Sequence, residues 1–202
     1  MERSLTQSVL DLARRVGALS AADLDAHGLP REYLSRLTRR GLLERLGRGV
    51  YVIPGASNSA HHSLAHVSAR VPDCVICLLS ALAYHNITTQ LPSQAWIAIH
   101  RGRRAPKIDH PPIRVVVVSE PAFSAGVEVH EIDGRRVRIY SVAKTLADCF
   151  KYRNKIGLDV ALEALNEAWT KRLFTMGELE RFAKLCRVSR VMRPYLEALV
   201  AS

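Results

Sequence analysis

The chain has 202 residues, room for one large domain or two small ones. Hydrophobic residues at 48% and charged residues at 24% are ordinary for a folded protein and exclude a mainly disordered chain. The unusual quantity is charge: 29 Lys and Arg against 19 Asp and Glu leave a formal +10, which favours a polyanionic partner without by itself naming one.

No apolar run approaches the ~18 residues of a membrane span. The first turns carry Glu2 and Asp11 and no apolar block of the kind a signal peptide has, so a cytoplasmic location without membrane association is expected. Cys74, Cys77, Cys149 and Cys186 are too few for a disulfide framework in a chain this long, and a reducing compartment keeps them as thiols.

Residues 4–16 place Leu5, Val9, Leu12 and Val16 at helical spacing, with Asp11, Arg14 and Arg15 opposite, which predicts a short amphipathic helix. Ser20, with Asp23 three positions on, forms a capping-box pattern for a second helix that breaks at His27-Gly28-Leu29-Pro30. Pro30 then stands at a first helical position, Leu34 and Leu37 supply a buried stripe, and Gly41 falls where a left-handed cap ends a third helix over 31–40. Beyond it the period changes to short apolar runs. Leu42–Leu46 and Val50–Ile53, joined by Gly47-Arg48-Gly49 and stopped by Pro54-Gly55, predict a hairpin.

Three helices followed by a hairpin is the layout of a winged helix-turn-helix, assigned to 1–54, with a small polar linker at 55–59. Residues 60–202 read as a mixed α/β domain ending in helices, which makes the fold class α/β (α+β). Its predicted elements are a helix near 60–70, a buried strand at Cys74–Cys77 and a helix from Ser80 to His85 with Ser80 as its cap. Strands follow at Trp96–His100, Ile113–Val118, Val127–Ile132 and Val137–Tyr140, the last two joined through Asp133-Gly134. Ser141 caps a helix to about Tyr152, and helices near 158–172, 176–186 and 191–200 close the chain, with Thr175 and Glu178 as a capping box.

The third helix carries the sharpest chemistry. With Leu34 and Leu37 inward, Glu32, Ser35, Arg36 and Arg39 point outward at 100° per residue. Arg36 and Arg39 are a turn apart, and an arginine fork matches the paired acceptors of guanine in the major groove, while Ser35 can bond a base or a phosphate. Arg31, Arg40, Arg45 and Arg48 are placed for backbone phosphates. The plain alternative is a solvated basic face on which Glu32 pairs with Arg36. Further basic groups, Arg101, Arg103, Arg104 and Lys107, then Arg135 and Arg136, offer a second nucleic-acid or partner surface, or simply solvated loop charge.

Cys74-Val-Ile-Cys77 has the spacing of half a zinc site, but no second pair completes four ligands, and its apolar neighbours suit a buried strand. His62 and His66 are four apart without the Glu of a zinc-protease motif, which suits a surface helix. No G-x-S-x-G elbow and no phosphate-cradling glycine loop is present, and the acidic residues are scattered. No catalytic residue, metal site or cofactor is expected.

Residues 18–53, with Leu-Ser-Ala-Ala-Asp-Leu, His-Gly-Leu-Pro, Leu-Ser-Arg-Leu-Thr-Arg-Arg-Gly-Leu-Leu-Glu-Arg and Gly-Arg-Gly-Val-Tyr, resemble the winged domain of AbiEi-type antitoxins. The segments from Leu79 to Thr88, Tyr140 to Asp148 and Arg153 to Asp159 resemble the C-terminal domain of that family. The resemblance implies a bacterial type IV antitoxin. It would repress its own operon at promoter inverted repeats, compatibly with a dimer on double-stranded DNA, and would counteract a cognate nucleotidyltransferase-like toxin, directly or functionally. By position, it would read DNA through Ser35, Arg36, Arg39, Arg45 and Arg48. Lys144 stands where the family pattern leads one to expect arginine, so no forked guanidinium contact is implied there. The rival readings are a divergent metal-dependent nuclease using Asp148 or Glu128, and a protein-interaction module whose basic face binds an acidic partner.

Overall fold

The computed structural model describes residues 2–16, 19–47, 49–54, 62–87, 92–108 and 112–201. Those residues form a mixed α/β fold with ten helices and two sheets, divided into two compact units. The first unit contains Met1–Asp73, Pro106–Ile113 and Val129–Val137, and the second contains Cys74–Ala105, Arg114–Glu128 and Arg138–Ser202. The segment expected as a linker, 55–59, lies outside the described residues. No helix among the described residues is long and apolar enough to cross a membrane.

The first unit begins with α1 (Glu2–Val16), β1 (Leu19–Ser20), α2 (Ala21–Ala26) and α3 (Glu32–Arg39). Val9, Leu12, Leu24, Leu34 and Leu37 interlock as its core, joined by Tyr33 and Leu43. Asp23 closes the head of α2 by accepting from the Ser20 backbone N–H at 2.7 Å and from its hydroxyl at 2.5 Å. Pro30 lies one residue before the N-cap, Arg31, rather than at the first helical position.

The end of α3 is a Schellman motif. Gly41, at φ +67, donates to the Thr38 carbonyl at 3.0 Å, and Leu42 donates to that of Leu37 at 2.9 Å. Leu42 is thereby consumed by the cap, and the predicted first strand of the hairpin shortens to β2 (Glu44–Gly47), paired with β3 (Val50–Val52). Sequence periodicity misses β1, because two residues carry no pattern. Its strand character comes from pairing Leu19 with Tyr51 and Ser20 with Val50 on β3, which makes a three-stranded sheet in the order β1-β3-β2. The next helix, α4 (His62–Arg70), is no surface helix at His66: that ring is 1% exposed, beside buried Leu64, Ala65 and Val67.

The second sheet has the order β6-β5-β4-β8-β7, built from β4 (Val75–Ile76), β5 (Ala95–His100), β6 (Ile113–Val118), β7 (Val127–Ile132) and β8 (Arg135–Tyr140). Central β4 runs antiparallel to β5, with Ile76 opposite Ile97, and parallel to β8, with Ile76 opposite Ile139. Asp133 and Gly134, at φ +50 and +70, make the two-residue turn between β7 and β8 that their sequence predicts. Ser80 is not a cap. It lies inside α5 (Leu78–Tyr84), whose N-cap is Cys77, and its buried hydroxyl accepts the Trp96 N–H at 2.9 Å.

The remaining helices are α6 (Val142–Lys151), α7 (Arg153–Ile156), α8 (Leu158–Thr170), α9 (Met176–Leu185) and α10 (Ser189–Ala201). Ser141 caps α6, and the Thr175–Glu178 box caps α9, as their spacing predicts. The single-turn α7 has no signature in the sequence, since four residues hold no helical period. α6 is buried along nearly its whole length, from Ala143 to Phe150, and is the central element of the second core.

Candidate nucleic-acid interface

On α3 the inward side is Tyr33, Leu34 and Leu37, and the outward side is Ser35, Arg36, Arg39 and Arg40, all exposed. This partition follows from the amphipathic spacing: the two leucines bury against α1 and α2, which forces the cations outward. The Arg36 guanidinium carbon sits 5.4 Å from the centroid of the Tyr33 ring, a cation–π contact one turn back along the helix. Arg39, by contrast, makes no ion pair among the described residues. Two arginine forks a turn apart on an exposed helix face can hydrogen-bond two acceptor pairs in a major groove.

Arg31 is placed differently. Its Nε donates to Asp25 Oδ1 at 2.7 Å and its Nη2 to Oδ2, a fork closed on a carboxylate at the end of α2. That hydrogen bond and charge hold Asp25 below the usual carboxylate range and raise Arg31. A phosphate would have to compete with Asp25 for this cation. Arg45 is exposed on β2, opposite Tyr51, while Arg48 lies outside the described residues.

Asp23 carries a third bond besides those from Ser20. Arg135 Nη2, at the tip of the β7–β8 hairpin, donates to its Oδ2 at 2.5 Å, with the two side chains 15% and 20% exposed. The hairpin tip, Val129–Val137, belongs to the first compact unit. Partial burial pushes the Asp23 carboxyl up, but hydrogen bonds from Ser20 and Arg135 and the Arg135 charge together outweigh it and hold the group below its ordinary value. The sequence offers Arg135 only as one of a loose basic cluster. Nothing local in the sequence pairs it with Asp23.

The cations expected as a second surface are divided between the two units. Arg101, Arg103 and Arg104 are exposed in the loop after β5 and belong to the second unit, whereas Lys107, Arg135 and Arg136 belong to the first. Gly102, at φ +93, supplies the left-handed residue that lets Arg103 N–H return to the His100 carbonyl at 3.1 Å.

The Tyr140–Asp148 segment is interior. Lys144 and Asp148 form an ion pair along α6 at 0% and 4% side-chain exposure, and the Cys186 thiol donates to the other Asp148 oxygen at 3.2 Å. The Lys144 ammonium lies 4.1 Å from the centroid of the Tyr140 ring, whose hydroxyl donates to the Phe123 carbonyl at 2.8 Å. Burial, followed by the Asp148 charge, pushes the Cys186 thiol up to about 12. Asp148, one of the two carboxylates named for a nuclease, thus has both oxygens occupied inside the core, and the other, Glu128, is exposed on β7. Among the described residues no three His, Cys, Asp or Glu side chains converge as metal ligands would. A lysine four residues before an aspartate, in an otherwise apolar run, was the available signal for the buried pair.

The fold is similar to that of the RV2827C protein from Mycobacterium tuberculosis, with a TM-score of 0.60 over 90% of this chain and 71% of that one, at 14% sequence identity. No curated protein sequence matches the chain. Residues 7–54, which run from within α1 through α2, α3 and the β2–β3 hairpin, match the family model described as a transcriptional regulator, the AbiEi antitoxin.

Proposed function

We propose that this chain is a DNA-binding antitoxin that represses its own operon at inverted repeats in the promoter and counteracts a cognate nucleotidyltransferase-like toxin. The observation that carries the DNA-binding half is the exposed face of α3, where Ser35, Arg36, Arg39 and Arg40 stand outward over a buried Tyr33-Leu34-Leu37 stripe. The match of residues 7–54 to a family of antitoxin regulators supports both halves.

In this reading Arg36 and Arg39 take base edges, Ser35 takes a base or a phosphate, and Arg40, Arg45 and Arg48 take phosphates along the groove. Arg31, held by Asp25, fixes the turn between α2 and α3 and supplies less to the DNA than an open fork would. Lys107, exposed in the same unit as α3, adds a cation for the same polyanion, and the exposed Arg101, Arg103 and Arg104 give the second unit a basic loop of its own. Two protomers on an inverted repeat give the two-fold match of protein and operator.

The test is fluorescence anisotropy of the full chain on its own promoter duplex and on an unrelated duplex, across a salt series. A clear preference for the promoter, lost in Arg36→Ala and Arg39→Ala, is expected. Equal affinity for both duplexes would remove the operator-reading role. For the toxin half, co-expression with an adjacent nucleotidyltransferase-like reading frame should restore growth. Failure to restore it leaves only a repressor.

A further inference from the structure

Asp23 and Arg135 are 112 residues apart in sequence, yet both belong to the first compact unit. Asp23 lies on α2, the first helix of the helix-turn-helix pair, and in such a unit that helix crosses the phosphate backbone. An uncompensated carboxylate there repels every phosphate within a Debye length, about 10 Å at about 0.1 M salt. The structure supplies the compensation. Arg135 meets Asp23 at 2.5 Å in a partly desolvated pocket, where an ion pair is screened less than on open surface. The strand end that presents Arg135 is set by the Asp133-Gly134 turn, both residues at positive φ, so the cation's approach is fixed by backbone rather than by a long free loop.

Resting on the DNA-binding reading above, we infer that Arg135 is a positioning residue of the DNA-binding unit. It cancels the Asp23 charge on α2 and holds the Ser20–Asp23 cap, so the hairpin tip is a working part of a unit whose matched sequence ends at residue 54. The tip does not need to touch DNA for this. Its contribution is a charge removed from the approach to the backbone.

The experiment uses the full chain in four forms, wild type, Arg135→Ala, Asp23→Asn and the double variant, each titrated with promoter and unrelated duplex at about 0.1 M and about 0.5 M salt. Arg135→Ala should weaken both duplexes alike, roughly fivefold at low salt and less at high salt. Asp23→Asn alone should tighten both, since it removes an anion from α2. The double variant should return close to wild type, because no charge is left to cancel, and Arg135→Lys should keep wild-type affinity.

A purely structural pair gives the opposite pattern: Asp23→Asn weakens binding and the double variant is no better than Arg135→Ala. That pattern, or an Arg135→Ala variant that binds like wild type, overturns the inference while leaving DNA binding intact. If wild-type protein binds neither duplex, the DNA-binding reading itself has failed. Should Arg135→Ala not fold, Asp23→Asn alone decides, with tighter binding supporting the inference and weaker binding sinking it.

Discussion

Lys144 and Asp148 form an ion pair one turn apart on α6, inside the second unit, with the Cys186 thiol completing the carboxylate's bonds at 3.2 Å. Two charges at such depth are costly to remove from water and are stable only as a pair. Asp148→Asn or Lys144→Met alone should therefore cost about 3–5 kcal/mol, while the double change Lys144→Met with Asp148→Leu should recover most of it. Urea unfolding reads both. Single variants within about 0.5 kcal/mol of wild type would contradict the pairing.

The thiols around this pair should be inert in the native state. Burial pushes Cys77 and Cys149 far up, and Cys186 to about 12, which leaves little thiolate at pH 8. An aromatic disulfide reagent should label Cys77, Cys149 and Cys186 only after denaturation. Rapid labelling of any of the three in folded protein counts against their placement.

Gly126 is held between α6 and α9 at φ +72, and a Cβ there would stand 2.7 Å from Lys144 Cβ and 2.9 Å from Phe182 Cζ. Gly126→Ala combines a strained backbone with overpacking and should destabilise by about 2–4 kcal/mol. Thermal melting measures it, and an unchanged midpoint would show that the strand start can shift away from α6.

On DNA, Arg36→Ala or Arg39→Ala should cost about 1–3 kcal/mol on the promoter and less on an unrelated duplex. Arg40→Ala should weaken both duplexes equally and lower the salt slope by about 1. For roughly six phosphate contacts the wild-type slope of log affinity against log salt should lie near −5. Identical losses on both duplexes for all three variants would put Arg36 and Arg39 on phosphates instead of bases.

Acid stability should depend on Asp23. Its carboxyl is lowered in the folded protein, because the bonds from Ser20 and Arg135 outweigh burial. A depressed native value means that the contribution is present above the unfolded pKa, near 4, and is lost as pH falls through the folded value. The stability gap between wild type and Asp23→Asn should close on acidification below about pH 4. A gap that stays constant down to pH 2 would mean the carboxylate is not stabilised by its partners.

Much of the first unit is legible in the sequence by itself. The Ser20–Asp23 cap, the Leu34–Leu37 stripe, the Gly41 terminus and the Asp133-Gly134 turn all emerge where their spacing places them. Each depends on residues no more than about four positions apart, so the chain's own stereochemistry specifies it. The outward cations of α3 follow from the same local rule, since burying one helix face exposes the other.

Tertiary structure alone decided the rest. Leu19-Ser20 becomes a strand only because β3 is there to pair with it. His66 is interior although nothing in its spacing requires it, and Asp148 faces Cys186 instead of solvent. Asp23 finds its counter-charge 112 residues away. Such contacts are set by how elements pack across the fold, where sequence distance carries no information. Periodicity thus determined which face of each helix is buried, and packing determined which charge meets which.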